Sequence, residues 1–223
     1  SFLSGGLLSR PLLDLTGYWV LTMDREGSVS VLDPSVQFAG RSSLYTAIQL
    51  GAPPFDWTKT SDDSLMFVAL PSRSEGVQDG IAAIDIADGK VLHAVPLPPG
   101  HHEIAFSEDS RYVYASSRDS GVVSTIETAT GSVLVRAELG GQPIGLLSLD
   151  ALGQVWAIDG AQGVIHRLDT RGAQIDRIVA EPGLGPAKLA PDGRHVLIVN
   201  PSQHRLEIVD TATAQVIKQV TVS

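Results

Sequence analysis

The chain has 223 residues, a formal net charge of −9, 43% hydrophobic and 18% charged residues, and no cysteine. An acidic globular body without a Lys/Arg cluster argues against nucleic acid and anionic membrane surfaces as partners. The missing cysteines exclude disulfides, thiolate metal sites and cysteine nucleophiles, and no apolar run approaches the ~18 residues of a membrane span.

The first ten residues, SFLSGGLLSR, are too short and too polar for a signal peptide. A start at Ser1 without methionine points to a processed or truncated chain. Beyond them one unit recurs. A turn (DLTG at 14–17, SDDS at 61–64, SEDS at 107–110, DALG at 150–153, PDG at 191–193) opens an alternating apolar run each time: YWVLTM, LMFVAL, YVYASS, VWAID and HVLIVN. A second alternating run then ends in an acid: Asp33, Asp85, Glu127, Asp169 and Asp210. The later acids lie 42, 42 and 41 residues apart, whereas the first gap is 52 because segments 37–45 and 71–80 carry insertions.

Alternation with period two is what a strand needs, since successive side chains face opposite ways. Asp88-Gly89, Thr130-Gly131, Arg171-Gly172 and Asp192-Gly193 tolerate positive φ and suit tight turns between consecutive strands. No stretch shows helical periodicity. Each unit therefore reads as a four-stranded antiparallel meander, and five units cover approximately 1–50, 51–97, 98–140, 141–180 and 181–223. A lone meander cannot bury both apolar faces, so the units must stack. The expected fold is all-β, a β-propeller of four-stranded blades forming a single domain, 1–223. A β-sandwich would not call for a turn-and-acid signature at near-constant spacing. Five repeats fit a closed five-bladed ring or part of a seven- or eight-bladed one. The repeated acids read as structural, because a carboxylate that bonds the turn's backbone N–H groups would recur in every blade.

The segments VVSTIETATGSVL (122–134) and LEIVDTATAQVIKQV (206–220) resemble the YVTN-type repeat of bacterial β-propellers, and APDGRHVLIVN (190–200) resembles its second half. Ala214 departs from that repeat, standing where its turn glycine is usual. MDREGSVSVLD (23–33) is similar to a signature in the haem-carrying (cytochrome d1) propeller of dissimilatory nitrite reductases. GQVWAIDGAQGVIHRLDTRGAQI (153–175) is similar to propeller lyases acting on streptogramins. These resemblances imply a blade, and an extracytoplasmic, periplasmic or extracellular setting. They do not specify an activity.

Turns after the second and fourth strands of each unit share one rim, which holds the longer and more varied loops. Binding sites on all-β scaffolds are usually built there. The candidates on that rim are His101, His102 and Glu103, Asp56 and Trp57, and Arg25, Arg73 and Arg118. Adjacent residues on an extended chain point oppositely, so His101 with Glu103, or His102 alone, would face a central channel. Imidazoles beside an acid suit a metal, a haem iron or general-base work, but two side chains do not make a metal site. Trp57 would stack on a flat ligand, plug the channel or pack under the loop at 71–80, and packing is the expectation. Trp19 and Trp156 lie within second strands and belong to the core. Arginines on the rim suit a carboxylate or phosphate, although solvation is the commoner fate. No nucleophile elbow, phosphate loop, dinucleotide fingerprint or metalloprotease motif is present, so no catalytic residue is assigned. The reading favours a non-catalytic binding or scaffold propeller that presents one rim to a protein partner or small ligand in the bacterial cell envelope. A haem- or redox-associated propeller is the alternative, and a propeller lactonase or lyase the next.

Overall fold

A computed structural model describes residues 20–38, 41–50, 52–60, 62–70, 80–100 and 102–222, without the side chains at 33–38, 41–43, 45, 102 and 150. The first strand of the opening unit, Trp19, His101, Arg73 and the inserted loop at 71–79 lie outside the described residues. The described chain forms five antiparallel sheets in sequence order. The first holds β1 (Val20–Met23), β2 (Ser28–Phe38) and β3 (Arg41–Gln49). The second is β4 (Asp56–Lys59), β5 (Leu65–Leu70), β6 (Gly80–Asp85) and β7 (Lys90–Pro96). The third is β8 (His102–Phe106), β9 (Tyr112–Ser117), β10 (Val122–Glu127) and β11 (Val133–Glu138). The fourth is β12 (Pro143–Leu149), β13 (Gln154–Asp159), β14 (Val164–Asp169) and β15 (Gln174–Val179). The fifth is β16 (Ala187–Leu189), β17 (His195–Asn200), β18 (Arg205–Asp210) and β19 (Gln215–Thr221).

The leading strands β4, β8, β12 and β16 pack successively against one another, so the sheets fan out from a shared axis. The core is a set of layers between sheets. Val29 and Val31 meet Met66 and Val68, and Phe67 and Ala83 meet Val113 and Ile126. Tyr114 and Val123 meet Val155 and Leu168, and Trp156 and Ile165 meet Val196 and Ile198. Because sheets two to four are sandwiched, β5, β6, β9, β10 and β13 are buried along nearly their whole length, on both faces. In the fifth sheet β17 and β18 alternate, with Val196, Ile198 and Val209 buried and Val199 exposed.

The repeat extends to irregularities. Pairing of each sheet's last two strands slips by one residue, at Thr125/Ile126 in the third sheet and at matching places in the second, fourth and fifth. Such bulges sharpen the local twist ahead of the turn. The acids then hold the turns. Asp85 Oδ1 accepts from Asp88 N, Asp169 Oδ1 from Arg171 N and Ala173 N, and Asp210 Oδ1 from Ala212 N and Thr213 N. Glu127, one carbon longer, takes the Thr130 hydroxyl instead. Asp33 is not at a turn. The first insertion lengthens the β2–β3 hairpin to Phe38↔Arg41, which leaves Asp33 inside the ladder opposite Ser43.

Candidate functional site

The four described leading strands line a cavity of about 390 Å³ at the loop-rich end of the axis. Its polar residues are Asp56 and Thr58 from β4, Glu103 from β8 and Lys188 from β16. Trp57 forms part of its wall, and Ile104, Ile144, Leu146, Leu147 and Ile158 supply apolar surface. A smaller adjoining pocket of about 50 Å³ is lined by Phe55, Glu103, Arg118, Pro143 and Ile144. Glu103 and Ile144 are common to both.

Strand register explains why these groups meet. Asp56 pairs with Ala69, the fifth residue of β5, and Glu103 with Ser116, the fifth of β9. They are equivalent positions on neighbouring blades. Gly145 takes that position opposite Ile158 in the fourth sheet, and Pro186 accepts Val199 N–H at 3.0 Å in the fifth. Matching the loops by sequence sets Asp56 against His102, one residue out of register, and a one-residue slip exchanges the two faces of a strand.

Asp56 also ties the blades together. Its Oδ2 accepts the backbone N–H of buried Ile104 at 2.9 Å. Glu103 is half-buried, and its own N–H donates to Ser116 Oγ at 3.3 Å. Burial, with the Asp56 charge second, raises the Glu103 carboxyl above its ordinary 4.5, while Lys188 pulls the other way. The site is therefore a pair of carboxyls in a partly apolar mouth, with a lysine close enough to be felt.

Trp57 is 42% exposed, and the loop at 71–79 under which it was expected to pack lies outside the described residues. Its neighbour Asp56 is the residue turned into the inter-blade hydrogen bond, and Trp57 borders the cavity next to it. Arg118 reaches the smaller pocket from the turn after β9. Arg25 does not join: it is exposed in the turn between β1 and β2, which Asp24 Oδ1 holds by accepting from Glu26 N and Ser28 N. His102 is the first residue of β8, its side chain outside the description, and His101 lies outside the described residues altogether. Lys188 was missed by sequence reasoning. The available signal was its place in the leading strand, two residues after the Pro186 that matches Asp56. Among the described residues no group of three His, Cys, Asp or Glu could hold a metal ion, and no helix is long and apolar enough to cross a membrane.

No protein-family description matches the chain, and no curated protein matches it. Solved structures do. The hydrazine synthase of Kuenenia stuttgartiensis is 18% identical with a TM-score of 0.67, over 76% of this chain and 49% of that one. A functionally unknown protein from Desulfotomaculum acetoxidans is 12% identical with a TM-score of 0.73, over 93% and 68%. The dihydro-heme d1 dehydrogenase NirN, solved in complex with DHE, is 15% identical with a TM-score of 0.73, over 92% and 45%. The chain thus spans about half the length of the first and third. Identities this low speak for the fold alone: four-stranded antiparallel meanders fanned about an axis, in the likeness of these proteins, make this chain a β-propeller.

Proposed function

We propose that this is a binding propeller whose channel mouth seats a small ligand carrying a cationic group on an apolar or aromatic body. The supporting observation is the convergence of Asp56 and Glu103 from adjacent blades beside an exposed indole and an aliphatic wall. Two carboxyls in a partly dry mouth favour a counter-cation, and an indole face attracts one. A volume of about 390 Å³ falls within the ~300–1,000 Å³ usual for such sites. Lys188 leaves room for an anionic group on the same ligand. The blades themselves fit the YVTN-type repeat, on the strength of segments 122–134 and 206–220, and with it a periplasmic or extracellular setting. The test is a Trp-fluorescence titration against a panel of aromatic and aliphatic amines with matched uncharged analogues. Saturable quenching by an amine, lost in Trp57→Ala and weakened in Glu103→Gln, supports the reading. A panel in which the uncharged analogues bind equally well overturns it.

The second reading, a haem-associated propeller, rests on the solved neighbour that carries DHE. Residues lining the mouth fit such a group only in part. The aliphatic residues and Trp57 would flank a flat macrocycle and Lys188 or Arg118 would meet its carboxylates, but the described lining holds no His, Met, Cys or Tyr to ligate iron. Titrating the protein with haem and following the Soret band separates the two readings.

A further inference from the structure

The opposite rim carries a second, larger cavity, about 490 Å³, wedged between the third and fourth blades. One wall is the β8–β9 turn with Ser107, Glu108, Asp109, Arg111 and Tyr112; the other is Thr170 and Arg171 from the β14–β15 turn. Both walls are braced. Asp109 Oδ1 accepts from Ser107 Oγ at 2.7 Å and Arg111 N at 3.0 Å, and Asp169 Oδ1 accepts Arg171 N at 2.9 Å. The buried Tyr114 hydroxyl donates to Thr170 O at 3.0 Å and ties the β14–β15 turn to the third blade. Above this frame the Arg111 guanidinium lies over the Tyr112 ring, 5.9 Å from its centre. No ion pair among the described residues uses Arg111 or Arg171.

Among the described residues, no other interface between blades carries arginine on both walls. The equivalent turns between blades two and three carry Asp62, Asp63 and Ser64 opposite Thr128 and Ala129, and those between blades four and five carry Ala151 and Leu152 opposite Thr211 and Ala212. Arg111 has a counterpart in Arg194 of the fifth blade, whose N–H likewise bonds the turn acid, but the facing pair of arginines does not recur among the described residues.

We propose that the cleft binds a small ligand through a tetrahedral oxyanion, a phosphate or sulfate ester, held between Arg111 and Arg171 with the Thr170 and Tyr112 hydroxyls beside it. Guanidinium forks match such oxyanions geometrically. Glu108 and Asp109 keep the cleft close to neutral, so affinity comes from the two forks rather than from a broad positive field. Binding is accordingly weak and saturable, on the order of millimolar.

The experiment is a ¹H–¹⁵N titration of the whole chain with sodium phosphate, sodium sulfate and, at matched ionic strength, sodium chloride. Phosphate or sulfate should shift the amides of Arg111, Tyr112, Thr170 and Arg171 to saturation while chloride does not. The oxyanion that saturates at the lower concentration names the ester. Arg111→Gln and Arg171→Gln should each weaken binding by about tenfold, the loss of one charge-assisted pair, and the double variant should abolish it. Both guanidiniums are on the surface, so the variants' unchanged melting curves check the fold. Trp57→Ala should leave this titration untouched, which keeps it separate from the channel mouth. Shifts that stay linear, match those in chloride, or persist in the double variant overturn the proposal.

Discussion

Asp56 offers the sharpest test of how the blades are joined. In Asp56→Ala the backbone N–H of Ile104, now accepted at 2.9 Å, loses its partner where two leading strands pack together. Ile104 is buried at 9% exposure, so water does not readily replace the carboxylate. A hydrogen bond to a charged acceptor contributes about 1.5–3 kcal/mol, and an orphaned buried donor costs about 1–3 kcal/mol on its own. Removing the Asp56 charge also relieves its repulsion of Glu103, a smaller opposing effect. The net expectation is a loss of about 1.5–3 kcal/mol for Asp56→Ala and about 0.5–1.5 kcal/mol for Asp56→Asn, which keeps an acceptor oxygen. Urea unfolding at neutral pH followed by circular dichroism reads both, with an unchanged slope expected. The same Asn variant should move the Glu103 carboxyl titration downward, toward the ordinary glutamate value, when followed by NMR. An alanine variant as stable as the wild type would falsify the inter-blade bond, and an unmoved Glu103 titration would contradict the pairing of the two carboxyls.

Other expectations follow from the turns and the core. Asp24, Asp62, Asp109, Asp192 and Asp210 all lie below the ordinary 3.8, Asp62 at about 2, chiefly through the Ser28, Thr60 and Ser107 hydroxyls and the Arg194 and Thr213 amides respectively. Depressed carboxyls contribute stability above their unfolded value that is lost as pH falls through the folded one. Glu103, raised, contributes in the opposite sense, fully below 4.5 and less as pH climbs. Five against one predicts a lower urea midpoint at about pH 3 than at about pH 5, and equal midpoints would count against the turn carboxylates. In Gly172→Ala, a Cβ at φ +88° would sit 2.3 Å from Thr125 Oγ1, so a loss of at least about 1–3 kcal/mol should appear in thermal unfolding. Ala214→Gly should change stability by less than about 1 kcal/mol, because the relief at φ 56° is offset by removing a methyl that packs on the core between blades four and five. Iodide should quench Trp57 but not Trp156, which is fully buried, so Trp57→Phe should remove most of the quenchable emission from the described residues.

How far each feature could be read depended on how far apart its parts lie. The turn acids were legible because their hydrogen bonds span only two to four residues, as Asp169 to Arg171 and Ala173 show. Asp33 was misread because an insertion beyond it converts the turn into a longer ladder, which depends on how Phe38 and Arg41 pair.

Period-two runs, turn chemistry and a near-constant repeat were enough, by themselves, to determine five meanders and their stacking. Each of those signals acts within one blade, and identical blades can bury their faces only against each other. Only the tertiary structure decided which non-repeated residues become neighbours. Asp56 and Glu103 are far apart in sequence and meet through a ladder register that a single residue of slip would undo. Lys188 joins them from the fifth sheet, and Arg111 meets Arg171 across a cleft between blades. Those meetings are set by how rigid sheets dock, and docking is a property of whole faces that no local stretch of sequence encodes.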